Sequence, residues 1–302
     1  MFIIQHRKIF FTISAILMFV SIFSVMYFGI RPGIDFAGGS LLEIAYEQRP
    51  SVAAIEQETD TLPFSVLLQP SGENNLIVRT KDLSQDERAM LLSALSSTGG
   101  AFTESRFTSI GPSIGAELKQ KAWIALLLVI SGITLFVAFA FRKVSEPISS
   151  WKYGLVTIIA LMHDVVVPVG AVAFLGSFML DYQADALFVT ALLTVLGFSV
   201  HDTIVVFDRV RENLRKNKEE HLAHTFEETV GASIGQTFAR SINTSLTVVL
   251  VLATLFLFGG ASTKPFALIL IIGVIAGTYS SVFLASPLLV TIASWQKNKK
   301  DA

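Results

Sequence analysis

Gly197-Phe-Ser-Val-His-Asp-Thr-Ile-Val-Val-Phe-Asp-Arg-Val-Arg211 closes an apolar run long enough to cross a bilayer, and it carries a carboxylate, Asp202, near the charged end of that run. An acid inside a membrane span costs roughly 2.5–3.5 kcal/mol on insertion scales, so a partner or a task must account for it. At 100° per residue Val195, Phe198 and Ser199 share the helix face of Asp202, and Arg209 lies a further two turns on, nearly in line. Two readings are open from these residues alone. Asp202 is either a paired ion that locks helices together or a titratable group with a function.

The surrounding chain is of the same kind. Of its 302 residues 52% are hydrophobic and only 16% charged, with mean hydropathy +0.61. That excludes a soluble domain, whose charged fraction would be about a quarter, and marks a polytopic membrane protein. The net charge of -1 gives no nucleic-acid footprint, and the lack of cysteine removes disulfides, thiolate catalysis and Cys-ligated metals. Apolar runs at 9–29, 122–141, 153–178, 186–207, 241–258 and 266–293 predict six transmembrane helices. The first run follows His6, Arg7 and Lys8 and exceeds the about 7–15 residues of a signal-peptide core, so it reads as a retained anchor.

Orientation follows from the basic residues. Arg142, Lys143 and Lys152 follow span two, a basic cluster at 209–218 follows span four, and Lys297, Lys299 and Lys300 follow span six. The opposite loops hold Asp181 and Asp185, or Lys264 alone. The positive-inside rule then places both termini in the cytoplasm and residues 31–121 outside. The chain thus divides into a first transmembrane helix (1–30), an extracytoplasmic α+β domain (31–121) and a five-helix bundle (122–302) with a cytoplasmic loop at 208–239. The outer domain reads β-α-β-β-α-β: strands at 40–46, 64–68, 76–80 and 102–109, and helices at 51–58 and 84–95. Ser51 and Ser84 cap the helices, Glu87 completes a capping box, and Pro70-Ser-Gly72 forms a turn. That order is ferredoxin-like. The loop at 208–239 is either an interfacial helix or hairpin, or a solvated connector.

Other polar residues in the spans qualify the reading. The stretch 246–258 is too short to cross a core of about 30 Å, so span five must recruit residues upstream, including Arg240. Gln236, Arg240, Asn243 and Thr247 then form a polar stripe on one helix face, expected to look inward, with Arg240 as a counter-charge for Asp202 or as a snorkelling headgroup contact. In span three Asp164 follows His163 and precedes Pro168, which cannot donate to the carbonyl of residue 164; the result is a hydrated polar pocket or a packed kink. The pairs His163-Asp164 and His201-Asp202 diverge by about 100° on a helix and no HExxH spacing exists, so no metal site is expected. Gly111-Pro-Ser-Ile-Gly115 matches G-x-S-x-G, but no histidine lies between His6 and His163, and no phosphate-binding G-x-x-x-x-G-K-[ST] occurs. The sequence does not read as an enzyme. Gly273 and Gly277 form a GxxxG expected to serve helix packing.

Five segments in order carry a resemblance: Gly33-Ile-Asp-Phe-Ala-Gly-Gly39, Gly111-Pro-Ser-Ile-Gly-Ala-Glu117, Ala160-Leu-Met-His-Asp-Val165, residues 197–212, and Arg240-Ser-Ile-Asn-Thr-Ser245. With six spans around them they resemble the SecF subunits of prokaryotic SecD/SecF protein-export complexes, in the resistance-nodulation-division superfamily. The resemblance covers nearly the whole chain. It implies a proton relay through Asp202 and Arg240 and places Asp164 in a further family motif; Asp164, His201, Ser199, Asn243, Thr247 and Gln236 are the supporting intramembrane polar groups, the last three from the stripe on span five. His201 stands where the family more often has Asn. The resemblance further implies a SecD partner, the SecYEG channel and its motor, a translocating preprotein, a proton gradient in place of any cofactor, and the cytoplasmic (inner) membrane. Two rivals stay open: a structural subunit that stabilises the translocase without moving protons, and a small-molecule exporter of the same superfamily.

Overall fold

Apolar composition carries helices of up to 34 residues through this chain, and one of them continues past Pro168. The structure is a computed structural model that describes residues 2–98, 101–142, 148–179, 182–260 and 263–301. Lys143 and Asp181, used above for orientation, lie outside the described residues, as do the side chains of Lys297, Lys299 and Lys300. In chain order the elements are α1 (Phe2–Gln5), α2 (Arg7–Phe28), α3 (Ile34–Ala37), β1 (Gly39–Tyr46), α4 (Val52–Thr59), β2 (Val66–Ser71), β3 (Asn75–Thr80), α5 (Gln85–Ser97), β4 (Phe102–Ile110), α6 (Pro112–Ala140), α7 (Ser150–Phe178), α8 (Ala186–Glu219), α9 (Phe226–Phe258) and α10 (Thr263–Tyr279). A π-helical turn at Ser280–Ala285 then leads into α11 (Ser286–Asp301). Among the described residues six helical stretches are long and apolar enough to span a membrane, the sixth running Thr263–Gln296 through the π turn.

Residues Arg31–Ile124 with Gln183–Ala186 form one compact unit. Its sheet order is β2-β3-β1-β4 with antiparallel pairing throughout, which is the ferredoxin-like arrangement. Leu42, Ile44, Tyr46, Leu68, Leu76 and Val78 from the strands meet Ile55, Leu91 and Leu95 from α4 and α5 in its core. The strand expected at 64–68 is displaced: β2 begins at Val66 and continues through Pro70 and Ser71, and the turn is Gly72-Glu73-Asn74. Proline is tolerated there because β2 is an edge strand and its missing N–H costs no second ladder. At the start of α5 the Ser84 capping box forms as expected. The Lys81 ammonium, and then the Ser84 N–H, hold the Glu87 carboxyl below the ordinary range. The contribution of this cap is therefore present above the ordinary glutamate range and fades as the pH falls through the lowered value.

Two of the quoted glycine-rich segments meet in this unit. Gly39 opens β1 at φ 132°, and a Cβ there would sit 2.6 Å from the Thr80 carbonyl oxygen; a Cβ on Gly115 would sit 3.0 Å from the Gly38 nitrogen. Gly39→Ala should therefore cost roughly 1–3 kcal/mol of local strain. The expected readout is faster proteolytic cleavage within 31–124 in the purified full-length chain, with the spans still protected.

The second unit holds the spans. The face of α2 that is buried consists of Ser14, Ser21 and Ser24. A Cβ on Gly170 of α7 would collide with Ser21, and Ser24 Oγ donates to the Gly170 carbonyl at 2.9 Å. Gly273 and Gly277 give α10 the same closeness to α8: a Cβ on Gly273 would run into Val195, and one on Gly277 would lie 2.9 Å from Ser199 Cβ. The GxxxG is thus a seam inside this chain. The 208–239 segment is a helical hairpin, because α8 runs on to Glu219 and a Thr225–Glu228 capping box starts α9 at Phe226. Asn213 Nδ2 donates to Ser233 Oγ and Gln236 Oε1, and Asn217 Nδ2 donates to Thr229 Oγ1, closing the hairpin.

Candidate functional site

Hydroxyl groups, rather than counter-charges, surround the buried acids. Asp202 on α8 is 6% exposed; Ser241 Oγ of α9 donates to its Oδ1 at 2.5 Å and Ser281 Oγ of the π turn donates to its Oδ2. Asp164 on α7 is fully buried: His163 Nδ1 lies 2.9 Å from its Oδ1, and Ser280 at 2.7 Å and Ser199 both donate to its Oδ2. Consecutive residues of one π turn therefore serve two carboxylates on two different helices. The Ser281 carbonyl accepts from Ser286 Oγ at 2.8 Å, so this turn keeps its own backbone partner.

The hydrogen-bond geometry has a chemical meaning. A serine hydroxyl has one hydrogen and can also accept. Ser281 Oγ lies 3.0 Å from the Thr278 carbonyl as well as beside Asp202. With Asp202 ionised, the hydroxyl hydrogen goes to the carboxylate. With Asp202 protonated, the carboxyl O–H donates to Ser281 Oγ and the serine hydrogen turns to the Thr278 carbonyl. Neither state leaves a buried polar group without a partner, so the usual penalty of about 1–3 kcal/mol for an unmade bond is avoided in both.

The stripe expected to face Asp202 looks elsewhere. Arg240, Asn243 and Thr247 are exposed, and no hydrogen bond or ion pair joins Arg240 to Asp202. Gln236 instead meets Asn213 of the hairpin. The helix phase explains the difference: the row Thr229, Ser233, Thr237, Ser241, Ser245 recurs every fourth residue and is buried, which turns Arg240, one position from Ser241, to the outer surface of this chain. His201 is likewise exposed beside buried Asp202, whereas Ser199 is buried on Asp164. The 100° divergence assumed for His163 and Asp164 does not keep them apart, because the imidazole swings back to bond its neighbour. The serines at 241, 280 and 281 escaped sequence reasoning. The four-residue hydroxyl period on span five and the Ser280-Ser281 pair within span six were the available signals.

The family model for the C-terminal part of the SecD/SecF protein export membrane proteins matches residues 91–295, and the SecD/SecF GG motif matches residues 28–48. The chain belongs to the SecF family. It is 40% identical to the protein translocase subunit SecF of Thermobaculum terrenum, over 97% of this chain and 93% of that one. It is 38% identical to the SecF subunit of Anaerolinea thermophila, over 95% and 92% of the two chains. Among solved structures it is similar to the crystal structure of SecDF, a translocon-associated membrane protein from Thermus thermophilus. That match has a TM-score of 0.81 and 29% identity, and it covers 97% of this chain and 38% of the SecDF chain. This SecF-family chain thus spans just over a third of the length of that SecDF chain. The GG motif falls on Gly38-Gly39, where the positive φ angles and the close Thr80 carbonyl require glycine.

Proposed function

We propose that this SecF-family subunit couples the proton gradient to protein export across the inner membrane of a prokaryote, as one part of a complex with SecD. The observation that carries the reading is the double satisfaction of Asp202, whose serine partners can bond either a carboxylate or a carboxylic acid. A proton entering from outside neutralises Asp202, rearranges the Ser281 hydroxyl, and biases one of two arrangements of α8 against the π turn. One elementary charge moved across 100 mV is worth roughly 2.3 kcal/mol, which shifts a two-state equilibrium by about fifty-fold. In the membrane this displaces the α+β unit, on the outer side by the positive-inside rule, against a preprotein emerging from the SecYEG channel and its motor.

The SecD partner is supported by the exposed stripe of α9. Arg240, Asn243 and Thr247 on a membrane-spanning face would be costly against lipid, so a second protein or a water-filled crevice covers them. The greater length of the SecDF chain is consistent with a partner supplying the rest of the bundle. In this assembly Arg240 is available to a carboxylate of SecD or to Asp202 in a second arrangement of the helices.

The experiment is preprotein export in inverted membrane vesicles with and without this subunit, with and without a protonophore. The chain-dependent share of export should disappear when the proton gradient is dissipated while ATP is held constant. A chain-dependent share that survives the protonophore overturns the reading and favours a structural subunit.

A further inference from the structure

Asp164 is the more enclosed of the two carboxylates and has no part in the mechanism above. Its surroundings repeat those of Asp202. Ser280 Oγ, which donates to Asp164 Oδ2, also lies 3.1 Å from the Gly277 carbonyl, so its single hydrogen has the same two destinations as that of Ser281. Protonated Asp164 could donate to Ser280, whose hydrogen would turn to Gly277. Asp164 adds something Asp202 lacks, a bonded imidazole. His163 Nδ1 contacts the carboxylate, while His163 Nε2 is buried with no hydrogen-bond partner. A buried imidazole with one nitrogen on a carboxylate and the other open is a proton acceptor set directly beside a second acceptor.

We infer that Asp164 with His163 is a second protonation site of this subunit, coupled to Asp202 through the adjacent hydroxyls of Ser280 and Ser281 on the π turn. The inference rests on the reading of Asp202 as a proton-accepting group. Two carboxylates held by consecutive residues of one turn share their hydrogen-bonding element, and like charges in a buried site disfavour joint ionisation. A proton on one site therefore changes the pH at which the other takes up its own, and the pair titrates in coupled steps.

Among the described residues few other ionisable groups face this site. Tyr279 on α10 has its ring centroid 6.0 Å from that of His163, but its hydroxyl donates to the Phe10 carbonyl. From α2 the facing groups are the hydroxyls of Ser14, Ser21 and Ser24; its charges, Arg7 and Lys8, lie in its first turn, with Arg7 paired to Glu227. On α8 the facing acid is Asp202 itself, His201 being exposed, and Arg240 of α9 is exposed as well.

The test is infrared absorption of protonated carboxyl groups as a function of pH, on the full chain reconstituted with SecD in lipid nanodiscs. Compared with the unsubstituted complex, Asp164→Asn and Asp202→Asn should each lose one carboxyl step. The step that remains in each should move by about one pH unit or more, the threshold of strong coupling. An Asp164→Asn spectrum identical to that of the unsubstituted complex overturns the inference but leaves the role of Asp202 standing. A step lost in Asp164→Asn and none in Asp202→Asn overturns the reading of Asp202 instead. Should Asp164→Asn not assemble, the Ser280→Ala/Ser281→Ala double variant keeps both carboxylates and decides the matter: shifted steps support the coupling, and unmoved steps overturn it.

Discussion

Asp202→Asn should abolish gradient-stimulated export while the subunit still assembles. Asparagine is nearly isosteric with the protonated acid, and its amide satisfies the same neighbours. Its oxygen accepts from one serine, and its NH2 donates to the other, whose hydrogen then goes to the Thr278 carbonyl 3.0 Å away. The substitution fixes the neutral arrangement and removes the one charge whose movement is worth roughly 2.3 kcal/mol per 100 mV. Export with and without an imposed proton gradient, alongside recovery of the detergent-extracted complex, checks both halves. The expected result is normal recovery with no stimulation. A structural role makes the opposite prediction: recovery falls, and whatever complex survives still responds to the gradient.

Gly273→Leu should destabilise the bundle strongly. A side chain at residue 273 runs into Val195 of α8, where helix α10 approaches too closely for any Cβ. Overpacking of this kind costs about 1–3 kcal/mol. Pushing α10 away also draws the π turn off the carboxylates, adding about 1–3 kcal/mol for hydrogen bonds left unmade in a buried site. Thermal denaturation in detergent should show the loss, and gradient-stimulated export should fall with it. Val195→Ala in the same chain reopens the space and should restore part of both. A Gly273→Leu protein as stable as the unsubstituted one would mean that the α8–α10 seam does not hold the site together.

Hydrophobic run length revealed the six spans because a bilayer sets that length directly. The ferredoxin-like unit was equally legible: its Ser84 cap and its alternating strands are local signals, and the largest shift was the Pro70 turn, moved by the tolerance of an edge strand for proline. Helix ends were less so. The starts of α6 at Pro112 and α9 at Phe226, and the end of α8 at Glu219, fall in polar sequence where hydropathy carries no information and i,i+4 pairs such as Glu117–Lys121 sustain the helix.

Asp202 and Asp164 could be singled out from sequence because a charge in an apolar span is expensive wherever the span packs. Their partners could not. Helical phase places Arg240 and Ser241 one residue and about 100° apart, so a modest rotation of α9 decides which of them meets Asp202. That rotation is fixed by the buried hydroxyl row from Thr229 to Ser245 against neighbouring helices, including the 2.5 Å contact of Ser245 with Thr278. Pairing through the π turn is further removed from local sequence, since Ser280 and Ser281 act on acids 116 and 79 residues earlier in the chain. Run length and the cost of buried charge act within one helix and are written in its composition. The choice of serine over arginine depends on how the hydroxyl row of α9 seats against its neighbouring helices, and only the packed bundle settles that.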